Sequence, residues 1–132
     1  MYDLTYYQYE KEVQVLDRKR AVIHPKEIAN HLSAFANAEG GTLVIGIEDD
    51  SKITGFKNPK AKSIEVYLEA SFDFMNRIPK CKSERLDVKN SEGEKDEVLL
   101  FHVEPSYGSI ISLKDESVYL RINDKSKRLT YP

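Results

Sequence analysis

The sequence predicts an α+β fold: a mixed β-sheet with two main helices, in the order β-α-β-β-α-β-β-β-β. Three observations carry this. Ile28, Leu32 and Phe35 recur with helical period behind Pro25. Thr42 to Ile47 (TLVIGI) is short, β-branched and nearly all apolar, as a strand buried on both faces would be. Beyond Pro79, apolar runs alternate with polar turn segments, which is the mark of hairpins.

The elements follow in chain order. Tyr6, Tyr7 and Tyr9 fall in Thr5 to Glu12, a stretch without a clear period that suits a short helix or an arm. Val13 to Lys19 suits a first strand, with Val13 and Val15 on one face. Pro25 opens the first helix, because a missing N–H is no loss in the first turn. Gly40 and Gly41 stop it, since glycine readily takes the left-handed conformation of a C-cap. After TLVIGI, Glu48 to Ser51 makes a turn and Lys52 to Phe56 a short returning strand. Asn58-Pro59 is a good start for a second helix reaching about Arg77. Ile64, Leu68, Ser71 and Met75 line one face of it, and Val66, Tyr67, Phe72 and Phe74 widen the arc, so good cover is expected. Arg85–Asn90 and Glu97–Val103 flank a polar segment with a turn glycine, and Ile110–Leu113 and Val118–Ile122 flank Lys114 to Ser117. Each pair reads as a hairpin. The two helices are expected to cover one face of the sheet.

The chain has 132 residues and 15.2 kDa, the size of one domain, 1–132, and its closing KSKRLTYP suggests a piece of something longer. With 40% hydrophobic and 32% charged residues it has the apolar content to fold. Twenty Lys and Arg against 22 Asp and Glu give a net charge of −2, which excludes a binder that is basic overall. Cys81 is the one cysteine, so an intrachain disulfide and Cys-rich zinc sites are excluded and a reducing compartment is expected. No apolar run approaches the ~20 residues of a membrane span, and the start lacks a signal-peptide pattern. The expectation is a soluble cytoplasmic protein with no membrane partner.

Two constellations are candidates for chemistry. In the first, a helix ends in a glycine pair and drops into a buried strand tipped by Glu48, Asp49 and Asp50. It is either a tight connection or a place where the backbone amides of Gly40 and Gly41 approach a ligand. The order helix-Gly-Gly-strand, with no Gly-Lys-Ser/Thr, excludes a nucleotide P-loop. The second constellation is basic. Lys52, Lys57, Lys60 and Lys62 occur without an intervening acid, Arg121, Lys125, Lys127 and Arg128 are opposed by Asp124 alone, and Arg18, Lys19 and Arg20 form a third run. They are either ordinary solvated residues or a local positive surface for phosphates.

Ala34-Phe35-Ala36-Asn37 and Glu39 to Asp49, followed by Ile53-Thr54-Gly55, closely resemble the hallmark of the Schlafen AlbA-type domain. Weaker similarity reaches Val103-Glu104-Pro105 and Tyr119-Leu120-Arg121, so it spans about residues 12 to 128. The resemblance implies a DNA- or RNA-binding module of a transcriptional-regulator type, with Lys19, Asn37, Gly40 and Gly41 inside the matching segments. Some relatives pair two such lobes into an RNA endonuclease with three carboxylates, which makes a homodimer or paired lobe a natural partner. The matching acids here are Glu12, Asp17 and Asp49. Asp17 is shortened from the family's Glu, Arg18 replaces an aromatic, and Glu48 replaces an Asp. Oxygen ligands of this kind suit Mg²⁺ or Mn²⁺. Glu12 and Asp17 are five apart, so in a regular strand they point to opposite faces, and they meet only if the strand starts after Glu12 or is bulged.

The other reactive residues read as structural. His31 lies inside the first helix, His102 alternates with Val98 and Leu100, His24 precedes Pro25, and no zinc-hydrolase spacing exists. Cys81 has no general base near it in sequence, and the tyrosines near the start suit packing better than base stacking. Three functions follow in order: nucleic-acid binding through phosphates without catalysis, metal-dependent endoribonuclease action by Glu12, Asp17 and Asp49, and self-association with no nucleic acid.

Overall fold

The computed structural model describes residues 3–130. The elements are α1 (Leu4–Tyr9), β1 (Leu16–Lys19), α2 (Pro25–Ala36), β2 (Gly41–Ile45), α3 (Ile64–Leu68), α4 (Ala70–Phe74), β3 (Cys81–Lys89), β4 (Lys95–Val103), β5 (Tyr119–Ile122) and β6 (Lys125–Arg128). Four strands form a mixed sheet in the order β1-β2-β4-β3, and β5-β6 is a separate hairpin. β1 runs parallel to β2, and the other pairs are antiparallel. The α+β class expected from the sequence is the class observed. No helix of the described residues is long and apolar enough to cross a membrane.

Strand alternation divides the core in two. Leu43 and Ile45 of β2 and Leu99 and Phe101 of β4 face α2, where Ile28, Leu32 and Phe35 are buried, together with Tyr67 of α3. Val44, Val98, Leu100 and Leu16 face the other way and pack under Tyr7 of α1. Each fully buried Leu, Ile or Phe contributes roughly 1.5–3 kcal/mol of apolar burial, so β2 and β4, apolar on both faces, are the spine of the fold. The N-terminal tyrosines therefore begin a short helix, and Tyr7 packs rather than stacks.

The helix-to-strand connection explains both glycines. Gly40 takes φ 77° and its N–H closes on the Phe35 carbonyl at 2.8 Å. A Cβ there would lie 2.5 Å from the Val103 carbonyl, and one on Gly41 (φ 155°) 2.6 Å from the Phe35 ring. The close approach is made to the chain's own backbone and core, so the tight-connection reading holds and a phosphate contact through these amides is not available at buried Gly40.

Several elements differ from expectation. β1 starts at Leu16, because Val13 and Leu16 exchange main-chain hydrogen bonds (3.2 and 3.3 Å) in a tight turn that leaves Val13 and Val15 exposed. The returning strand after Glu48 is reduced to a single bridge, Ile47 to Ile53. The long second helix does not form. Asn58 accepts the Lys60 N–H (2.8 Å) as an N-cap would, but the Lys62 N–H, which a helix would give to the Asn58 carbonyl, is taken by the Ala21 carbonyl (2.8 Å), so the first turn does not propagate. The helical part is two short pieces meeting at Glu69, and Phe72 is 64% exposed instead of covered. The β3–β4 hairpin forms as expected and is longer. The second expected hairpin keeps one bridge, Ser112 to Val118, and the chain's last hairpin is β5–β6. Its turn is Asn123-Asp124, with Asn123 at φ 57°, a conformation that asparagine tolerates in tight hairpin turns.

Candidate functional site

Arg121 organises the site. Its side chain is 0% exposed. Nη1 donates to Asp17 Oδ2 at 2.7 Å and to Ser126 Oγ at 3.2 Å, and Nη2 donates to the carbonyls of Val13 (2.9 Å) and Leu16 (3.0 Å). Nε reaches the Gln14 carbonyl at 3.3 Å, and the guanidinium lies 4.8 Å from the centre of the Phe35 ring. Arg121 thus clamps the β5–β6 hairpin to β1 and α2 and has no donor left for a phosphate. Its assignment to a nucleic-acid surface is corrected accordingly. Gln14 doubles the clamp, donating to the Arg121 carbonyl (2.7 Å) and accepting from the Asn123 N–H (2.8 Å).

Asn37 is also framework. It accepts from the Ile111 N–H (2.8 Å) and donates to the carbonyls of Ile111 (2.9 Å) and Tyr119 (3.0 Å), so its amide is spent inside the molecule. With Gly40 and Gly41, it gives the AFAN and GG parts of the sequence motif a role in the fold.

Glu12 and Asp17 do meet, because β1 begins after Glu12. Glu12 Oε2 accepts the Arg18 N–H at 2.8 Å. Its carboxyl is pushed up to about 7, first by burial and then by proton sharing with Asp17, with the charge of Asp49 adding at longer range. Asp17 lies below its ordinary value. Burial alone would raise it, but the Glu12 proton and the charges of His31, Lys19 and Arg121 outweigh that. His31 is pressed down to about 4 by burial, against the pull of Asp17, and its Nδ1 lies 2.6 Å from Ser126 Oγ. Among the described residues, no three acidic, His or Cys side chains come together as a metal-ligand set. Asp17 is occupied by Arg121 at 2.7 Å and by Lys19 at 3.6 Å, so the Glu12–Asp17–Asp49 donor set does not fit a divalent ion. Two other groups are framework too. His102 bridges Thr42 (3.0 Å) and Glu84 (2.9 Å) across the sheet, and burial pushes the Cys81 thiol up to about 12.

The three basic runs are distributed around β1. The runs at 18–20 and 52–62 approach at the C-terminal ends of β1 and β2: the Lys62 N–H donates to the Ala21 carbonyl (2.8 Å), and Gly46, whose N–H donates to the Lys19 carbonyl (2.8 Å), accepts from the Thr54 and Gly55 N–H groups (3.0 and 2.9 Å). Arg20 there faces Glu48 at 3.7 Å, and Asp49 and Asp50 line the same cleft of about 390 Å³. Lys52 and Lys57 line the next cleft, which also carries Glu92 and Glu94, while Lys60 stays on the solvent side of its loop. The third run is β6, next to the other end of β1. Lys125, Lys127 and Arg128 are exposed, and among the described residues none of them is in an ion pair. Lys125 and Lys127 alternate with Ser126, which turns inward to Arg121 and His31. Sequence reasoning had no local signal for these connections, since Asp17 and Arg121 lie 104 positions apart.

The family model described as Schlafen, AlbA_2 matches residues 12–130. Among solved structures, the DIP2311 protein from Corynebacterium diphtheriae matches with a TM-score of 0.59 at 19% identity. That match covers 88% of this chain and 22% of that one, so the likeness is one of fold, and this chain spans about a fifth of that protein.

Proposed function

Because this chain belongs to the Schlafen AlbA_2 family, whose role at the family level is related to nucleic acids, we propose that it is a nucleic-acid-binding module that contacts phosphates without catalysis. The observation that carries this is β6. Lys125, Lys127 and Arg128 project from a hairpin that Arg121 fixes to the sheet, and none of these cations is neutralised by a neighbour among the described residues. A cation on a clamped strand loses less freedom on meeting a phosphate than one on a loose tail. Lys52, Lys57 and Lys60, on the loop at the opposite end of β1, offer further cations despite the net charge of −2, while Lys19 is held by Asp17 at 3.6 Å. Against catalysis stand the occupied Asp17 and the protonated Cys81 thiol.

The test is binding of a labelled oligonucleotide, single-stranded RNA in one arm and duplex DNA in another, across a salt series. The affinity is expected to fall log-linearly with salt, and each phosphate contact removed lowers the slope by about 0.7–0.9. Lys125→Glu/Lys127→Glu/Arg128→Glu is expected to flatten the slope by two to three such steps, while Lys80→Glu leaves it unchanged. Binding that is absent at low salt, or indifferent to the triple variant, refutes the reading.

A further inference from the structure

β3 is nine residues long and lies at the edge of the four-stranded sheet, with β4 on one side only. At the two ends of their register the Lys80 carbonyl accepts from Glu104 (2.9 Å) and the Asn90 N–H donates to Glu94 (2.9 Å). Main-chain groups alternate in direction along a strand, so even-numbered residues aim theirs at β4 and Ser83, Arg85, Asp87 and Lys89 aim theirs outward. Ser91, next in the odd series, agrees: its N–H turns away from β4 to the Ile53 carbonyl at 2.8 Å. The four outward residues are exposed, and among the described residues no hydrogen bond from another element reaches their main chain.

An open edge of this length is a template for another strand, and proteins blunt such edges with lysines, proline or bulges. β3 has no proline, and its charges alternate in sign: Lys82, Glu84, Arg85, Asp87, Lys89. We propose that β3 pairs antiparallel with β3 of a second copy of this chain, about a two-fold axis at Leu86, joining the two sheets into one.

The charges choose the register. A two-fold axis perpendicular to the sheet keeps every side chain on its own face, so it passes through a residue and pairs positions of equal parity. An axis at Leu86 sets Arg85 opposite Asp87 twice and Ser83 opposite Lys89 twice. An axis at Glu84, Arg85 or Asp87 sets that charge against itself, which is destabilising. Axes at Ser83 or Val88 avoid this but pair a shorter stretch of β3. On the other face Leu86, half-buried at the margin of the Tyr7 cluster, meets its own copy and extends that apolar layer across the axis.

Sedimentation equilibrium of the 132-residue chain reads this directly. A monomer–dimer equilibrium is expected. Arg85→Asp, which faces Asp87, is expected to weaken it by at least about tenfold, and the swap Arg85→Asp/Asp87→Arg to restore it to within about threefold. Folding of each variant is checked by circular dichroism. In a Cys81→Ser background, Leu86→Cys is expected to form a disulfide dimer under mild oxidation, because facing Cα atoms at a non-hydrogen-bonded pair stand ~4.5 Å apart. Lys82→Cys, away from the axis, stays reduced. A chain that sediments as a monomer at every loading, or a dimer that Arg85→Asp leaves unchanged, overturns the proposal.

Discussion

Replacing Arg121 by methionine removes the clamp while filling most of its volume. The guanidinium is fully buried, and it gives hydrogen bonds to Asp17, Ser126, Val13, Leu16 and Gln14 at 2.7–3.3 Å. The variant leaves the Asp17 carboxylate in place without its strongest partner and the Gln14 carbonyl without its guanidinium donor, while the Val13 and Leu16 carbonyls keep only the long main-chain bonds they exchange (3.2 and 3.3 Å). Breaking a buried pair from one side destabilises by about 3–5 kcal/mol. For a chain of this size each kcal/mol moves the midpoint by a few degrees, so Arg121→Met is expected to melt roughly 10–20 °C lower. Thermal and urea unfolding followed by circular dichroism measure both quantities. Adding Asp17→Asn to the variant removes the orphaned charge and is expected to recover part of the loss. A loss under ~1 kcal/mol for Arg121→Met refutes the reasoning; it would mean that apolar packing alone holds the hairpin.

Four further outcomes are expected. Asn37→Ala unpairs the main chain of Ile111 and Tyr119 and is expected to destabilise by about 1–3 kcal/mol in urea unfolding. Gly40→Ala combines a positive φ with a clash against the Val103 carbonyl, so in place of the roughly 0.4–1 kcal/mol gain of a strain-free Gly→Ala change it is expected to destabilise by more than ~1 kcal/mol in urea unfolding. In stability against pH, Glu12 and His31 oppose one another. Glu12 is raised from 4.5 to about 7, so its contribution is full below 4.5 and is lost as pH rises through 7. His31 is lowered from 6.5 to about 4, so its contribution is full above 6.5 and is lost as pH falls toward 4. Glu12→Gln is therefore expected to turn a shallow profile between pH 4.5 and 6.5 into one that rises with pH, and an unchanged profile counts against the buried carboxyl pair. With its thiol held near 12, Cys81 is expected to resist alkylation at pH 8 until denaturant is added, and mass spectrometry reads this as the alkylated fraction.

The spine of the fold was legible because its signals are local. Pro25, the Ile28-Leu32-Phe35 stripe and TLVIGI each state their conformation within a few residues and are placed as read, whereas α2 is capped by Asn37, ahead of the glycine pair that was expected to stop it. The second helix was misread because Asn58-Pro59 looks like a helix start. What prevents it is a distant partner, the Ala21 carbonyl. The same limit applies to the site. Arg121 was read as a surface cation because a run of Arg and Lys says nothing of the buried carboxylate 104 residues earlier. Glu12 and Asp17 were paired by resemblance, with a parity objection that the turn at Val13–Leu16 removes. The inward turn of Ser126, which separates the two outward lysines of β6, had no counterpart in composition at all.

The ion pair that joins residues 17 and 121 also sets a clock on biosynthesis. At about 5–20 residues per second, a ribosome extends the chain for roughly 5–20 s after Asp17 emerges before it supplies Arg121. Through that interval the nascent carboxylates of Glu12 and Asp17 remain hydrated and the first strand has one flank unsealed. Closure of the first strand thus waits on a residue translated 104 positions later, and a message truncated before the Arg121 codon would yield a product with that strand unsecured.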